Sequence, residues 1–258
     1  MQARRKTNGW LIGLTLASAA FWLGSHQIYA RWQGVPPVPS KNGARMMTLG
    51  DTQFSYRFGA ITLQNLGDGG GDVTPIKNYD FPMLGRWFHL LNDLDPASNH
   101  VPMIAAYYFG ATPIPNDVAV VVDYLSKVGQ NPYGNKWRWL AQAVYLAQYR
   151  MDDKDLALDL AYKLARMQPI GDDLPIWARQ MPVTVLKNKG EKQAAQDFMR
   201  DMMSMSEAWR PDEIATMRGY MLEQLGMTPA EVDAMIAARG DRDKGAEPRK
   251  ILPAPAPD

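Results

Sequence analysis

The chain has no cysteine and only three histidines, His26, His89 and His100. The first absence excludes a disulfide framework, a thiolate metal site and a thiol nucleophile. The second leaves little imidazole for chemistry. His26 lies in an apolar N-terminal run, and His89 and His100 stand eleven residues apart without an obvious acidic companion, a poor zinc set. No G-x-S-x-G, H-E-x-x-H, phosphate-loop or dinucleotide fingerprint occurs. Charge of one sign is also lacking. A formal net charge of +1 argues against duplex DNA, which asks for a concentrated basic face. The expectation is therefore a non-enzymatic protein with no cofactor and no nucleic-acid partner.

What is present is an ordinary globular composition, 46% apolar and 21% charged in 258 residues. The N-terminus departs from it. Arg4, Arg5 and Lys6 precede a nearly uncharged stretch from Trp10 to Ala30, with Trp10, Tyr29 and Trp32 near its ends. As a helix, residues 9 to 30 would measure roughly 33 Å, close to a bilayer core. Cations stay on the cytoplasmic side and aromatics at the interfaces. The segment thus reads as a single-pass anchor in the inner (plasma) membrane, with the main domain outside the cytoplasm, in the periplasm of a bacterial envelope. A cleaved signal peptide is the alternative: Ala17-Ser18-Ala19 and Ile28-Tyr29-Ala30 are imperfect cleavage sites.

Composition divides the rest. Residues 1–9 read as a cytoplasmic basic N-terminus, 10–30 as the anchor, 31–45 as a proline-rich spacer, 46–239 as the folded domain and 240–258 as a disordered, charged, proline-rich tail. Within the folded part Pro96, Pro132 and Pro169 each close an apolar segment, 36 and 37 residues apart. In phase with them run Leu84, Val120, Ala157 and Ala194, then Phe88, Tyr124, Ala161 and Phe198, then Leu91, Lys127 and Leu164. Such spacing puts one stripe on a helix that proline then stops. A second helix precedes each, at about 101–110, 136–150 and 174–188, with 48–66 a weaker member. Two short helices are expected at 211–226 and 228–239, the latter opening on a capping box, Thr228-Pro229-Ala230-Glu231.

A period in the thirties means stacked helical pairs. Trp137, Leu140, Ala141 and Val144, followed by Ala157, Leu164 and Pro169, resemble the tetratricopeptide repeat pattern, and Ala194 and Phe198 match part of a further unit. Val144 and Ala161 replace aromatics, Lys127 and Asp201 occupy usually apolar places, and Pro182 falls inside an expected first helix. The resemblance implies an all-α helical-hairpin solenoid of about four units whose first helices line a concave surface.

The segment "KWRWLAQAVYLAQYR" (136–150) has three faces. Trp137, Leu140, Ala141 and Val144 share one, and Trp139, Ala143 and Leu146 another. A helix apolar on two sides packs between neighbours. The remaining stripe, Arg138, Gln142, Tyr145 and Tyr149, is the expected partner-binding groove, since Arg and Tyr are good interface anchors. Met199, Met202, Met203 and Met205 offer soft thioethers for a Cu(I) site or small ligand, but the first three also have core spacing. Asp68 and Asp72 flank glycines in a loop too poor in oxygen ligands for calcium. Asp152, Asp153, Asp155, Asp172, Asp173, Asp212 and Glu213 sit at expected helix starts, where acids cap free amides. The same carboxylates underlie the alternative of an envelope-polymer hydrolase. The expected function is a membrane-anchored helical-repeat scaffold that binds a protein or peptide in an envelope or secretion assembly.

Overall fold

The computed structural model describes residues 9–25, 34–69, 72–171, 173–204 and 209–243. Among them the fold is helical: α1 spans Gly9–Ser25, α2 Lys41–Met47, α3 Thr52–Gln64, α4 Phe81–Leu94, α5 His100–Tyr107 and α6 Pro115–Gly129. Then come α7 at Trp137–Tyr149, α8 at Lys154–Ala165, α9 at Ile176–Arg179, α10 at Met181–Lys189, α11 at Lys192–Ser204, α12 at Pro211–Glu223 and α13 at Pro229–Asp243. The only strand pairing among the described residues joins Asp68–Gly69 to Asp72–Val73, two residues a side.

Local chemistry sets the helix starts. Asp51, Asp80 and Asp153 each accept the amide three residues on, from Phe54, Met83 and Leu156, at 2.9 Å. At α13 the Thr228 hydroxyl accepts the Glu231 amide at 3.3 Å while Glu231 accepts the Thr228 amide at 2.8 Å. Pro182 divides the helix expected over 174–188. It sits in the first turn of α10, and Gln180 joins α9 to α10. Proline lacks the amide that a continuous helix would need there.

The main contacts pair each helix with the next, or the next but one: α2 with α3 and α4, α3 with α4 and α5, and so on to α13. Two apolar cores result. The larger runs from Ala44 to Val185, and the smaller gathers Val183, Leu186, Met199, Met217, Met221 and Val232. The buried stripes follow the proline phase with one correction. Leu84, Phe88 and Leu91 are buried, as are Ala157, Ala161 and Leu164. In α6 Tyr124 is buried as expected, but the buried face leans one residue later and takes in Val121, Leu125 and Val128; in α11 the register lies one residue later, at Ala195, Met199 and Met202. That rotation leaves Lys127 and Asp201 exposed and Ala194 and Phe198 half-buried. The two charged departures from the repeat pattern are therefore solvent positions, not core ones.

The 31–45 spacer is also corrected. Val35 and Val38 pack on the larger core, Pro36 O accepts the Trp87 indole N–H at 2.8 Å, and Ser40 caps α2. The expected span at 10–30 is described only as α1, which has 17 residues and buries none. At 1.5 Å per residue that is about 25 Å, short of a hydrocarbon core of about 30 Å. Among the described residues no helix is long and apolar enough to cross a membrane. Residues 26–30 of the expected span, residues 1–8 and residues 244–258 of the expected tail lie outside the described residues.

Helices α6 and α7 approach closely at Gly129. A Cβ there would lie 2.3 Å from Leu140 N and 2.7 Å from Leu140 Cα. These are backbone atoms, so α6 and α7 would have to separate. Gly129→Ala should lower stability by about 1–3 kcal/mol. Gly219, inside α12, has nothing within 4 Å of its would-be Cβ. Gly219→Ala should raise stability by up to about 1 kcal/mol. Denaturant melts of both variants test the pair; a neutral Gly129→Ala would mean the α6–α7 contact is slack.

Candidate functional site

Helix α7 is tied at both ends to the unit before it. Gly134 and Asn135 turn the chain with left-handed φ values of 65° and 57°. The turn directs the Lys136 ammonium inward to donate to Ser98 O at 2.5 Å. One helical turn on, Trp139 Nε1 donates to Asn99 Oδ1 at 2.7 Å. At the far end Arg150 donates to Ala111 O at 2.8 Å and Thr112 O at 2.9 Å. Trp137, Leu140, Ala141 and Val144 are buried, and so are Trp139, Ala143 and Leu146. The basic aromatic segment is packed on two sides.

The third stripe faces a groove of about 650 Å³. Arg138, Gln142 and Tyr145 line it from α7, together with Tyr107 from α5, Trp177 from α9, Met181 from α10, and Asp173 and Pro175 from the loop before α9. Trp137 forms its floor, with the Trp177 ring 5.4 Å away and the Arg138 guanidinium 5.4 Å over its face. Among the described residues Arg138 has no ion-pair partner, whereas Asp173 lies 3.7 Å from Arg179. The Trp137 indole N–H is buried without an acceptor. Tyr107, Tyr145 and Trp177 are each about half exposed or more. Tyr149 lies outside the groove's lining: its ring stacks on Tyr145 at 5.0 Å and its hydroxyl accepts from Asn188 Nδ2 at 3.0 Å. Tyr107 joins the site from α5 and Trp177 from α9.

The other candidate groups have structural occupations. Met199, Met202 and Met203 are buried in the smaller core beside Met217 and Met221, while Met205 lies outside the described residues. Asp155 pairs with Lys189 at 2.7 Å, which holds its carboxyl below the usual range and raises the Lys189 ammonium to about 12. Glu213 accepts the Arg210 amide at 2.9 Å. Asp212 stands 3.5 Å from the Arg210 guanidinium. Asp172 is outside the described residues. His89 lies 3.6 Å from Asp123 and edge-on to Tyr124 at 5.3 Å, while His100 opens α5. Among the described residues no group of three metal-ligating His, Asp or Glu side chains converges.

Lys136 is almost fully buried, and burial lowers its ammonium to about 8, with Asp95 opposing the shift. An unfolded lysine titrates near 10.4. Between the two values the unfolded chain binds more protons, so stability must rise with pH across that window and lose the gain as pH falls to 8. Burial pushes the Tyr56 and Tyr124 hydroxyls up, which acts in the opposite sense above pH 10. The clean window is therefore pH 8 to 9.5. Over it the protein should gain roughly 2 kcal/mol relative to Lys136→Met, whose curve should lack this slope. Parallel curves in chemical denaturation would show that Lys136 is not desolvated at the start of α7.

No family model, curated protein or solved structure matches this chain, so the functional reading rests on the geometry of the groove beside α7.

Proposed function

We propose that the protein is a membrane-attached helical-repeat scaffold, not an enzyme, that holds a protein or peptide segment in the groove beside α7, outside the cytoplasm. One observation carries the reading. Three successive first helices, α5, α7 and the α9–α10 pair, present exposed Tyr107, Tyr145 and Trp177 to one open groove around an unpaired arginine. Rigid aromatic rings and arginine bind protein segments well because they bury large area with few rotors to freeze. The cation over Trp137 suits a segment that brings a carboxylate, and the indole N–H beneath suits a peptide carbonyl.

The neighbour-to-neighbour helix contacts support a stacked-pair array of the tetratricopeptide type, with the groove on its first-helix side. Attachment to an inner membrane is supported by α1, where Trp10, Phe21 and Trp22 are among the exposed apolar side chains and the fold covers none of the helix. The arginines and lysine before it orient the main body away from the cytoplasm. Asp153, Asp155, Asp212 and Glu213 are engaged as caps and ion pairs, which favours the scaffold reading over the hydrolase alternative at those positions.

Arg138→Ala with Tyr145→Ala removes the free cation and one ring without touching the buried faces of α7. The double variant should melt within a degree or so of the parent. Quantitative mass spectrometry of affinity-purified, crosslinked membranes should show a specific partner reduced roughly tenfold, about 1.4 kcal/mol of binding. Unchanged recovery of every co-purifying protein would remove the groove as the binding site.

A further inference from the structure

We propose that the corner between α2 and α3 is a second membrane contact that seats on an anionic phospholipid bilayer. This rests on the reading of α1 as the membrane attachment. The corner exposes apolar side chains that the fold does not use. Met46 and Met47 are more than three-quarters exposed, Leu49 is fully exposed, and Phe54, Phe58 and Ile61 are each more than half exposed. The last three share the outer face of α3, while its inner face buries Tyr56, Ala60 and Leu63. Helix α3 is thus apolar on two sides, but only one of them meets protein.

Leu49 sharpens the point. Its φ is 55°, a left-handed value that costs a branched aliphatic residue free energy. No interior contact offsets that cost. The conformation is held by its neighbours: Thr48 Oγ1 bonds Asp51 O at 2.9 Å, and Ser55 Oγ bonds Ala44 O at 3.0 Å. The corner therefore holds a bare leucine outward on a rigid support.

The surrounding charges fit one occupant. Lys41, Arg45 and Arg57 are exposed, and among the described residues none has an ion-pair partner. The nearby acid, Asp51, is occupied in capping α3. Methionine, leucine and phenylalanine ringed by cations suit the boundary between acyl chains and anionic headgroups. The tether brings the two together. Helix α1 ends at Ser25, and the chain is pinned to the domain by Val35, Val38 and the Trp87–Pro36 bond. The eight residues between Ser25 and Gly34 reach about 30 Å at most. The α2–α3 corner follows that pinned segment directly in the chain, with α2 starting at Lys41.

The absence of cysteine supplies the test. The full chain carrying Phe58→Cys, labelled with an environment-sensitive fluorophore, is reconstituted into phosphatidylcholine vesicles with or without phosphatidylserine, each containing lipids spin-labelled on the acyl chain. A Gln193→Cys label on α11 serves as the reference. The Phe58 label should shift to the blue and be quenched several-fold more than the Gln193 label in phosphatidylserine vesicles. Adding Met46→Glu, Met47→Glu and Leu49→Glu should abolish the difference while the protein still floats with the vesicles. Flotation with an unquenched Phe58 label overturns the second contact and leaves the α1 attachment standing. Equal quenching without phosphatidylserine overturns the anionic assignment. Failure to float at all overturns the attachment itself, and the second contact with it.

Discussion

Between α6 and α7 there is no room for a methyl group. The hydrogen of Gly129 faces the backbone of Leu140, and any side chain there would meet an amide nitrogen at 2.3 Å. That contact sets the distance between α6 and α7. It lets Leu140, Ala143 and Val144 close against Val121, Leu125 and Val128 with no exposed surface to speak of. It also fixes the rotation of α7, because a helix pressed on two faces cannot roll. The stripe left over has one direction to face, and the groove lies there.

Polar ties secure the same geometry from the ends. Lys136 and Trp139 reach back to Ser98 and Asn99, and Arg150 reaches back to Ala111 and Thr112. The acceptors lie just before α5 and at the end of the turn that follows it. The arrangement couples structure to use. Tyr107 on α5 and Arg138 on α7 line one groove because the ends of their helices are bonded together. The cost is a lysine carried in the interior, whose ammonium burial lowers to about 8.

Much of this was legible in the sequence, and the misses have physical reasons. The proline phase located α4, α6 and α8, which Pro96, Pro132 and Pro169 follow closely, and one further period from Ala157 located α11. The three faces of 136–150 could be separated because all lie on one helix, where spacing alone assigns direction. Three members of that stripe line the groove, while Tyr149 is drawn aside by Asn188, a partner 39 residues away that no local pattern reveals. Tyr107 and Trp177 were out of reach for the same reason, because adjacency across helical pairs is not written in spacing. Helix α2 was hidden by the prolines before it, although Ser40 is a good cap. In α3 the sets Phe54, Phe58, Ile61 and Tyr56, Ala60, Leu63 have the same spacing, so periodicity could not say which one faces the core. The fourth stripe slipped by one residue because Ala194 and Ala195 are adjacent and equally small.

On the proposed function, α7 offers its third stripe to a protein partner while its other two faces stay in the core. A photo-crosslinking amino acid placed at Gln142 in the full-length protein, in its own membrane, tests this most directly, with Asp123 on the exposed side of α6 as the reference position. The account predicts one discrete protein adduct from Gln142 and none from Asp123. Adducts of the same protein from Asp123 and none from Gln142 would contradict it, and would move the binding surface to the exposed side of α6.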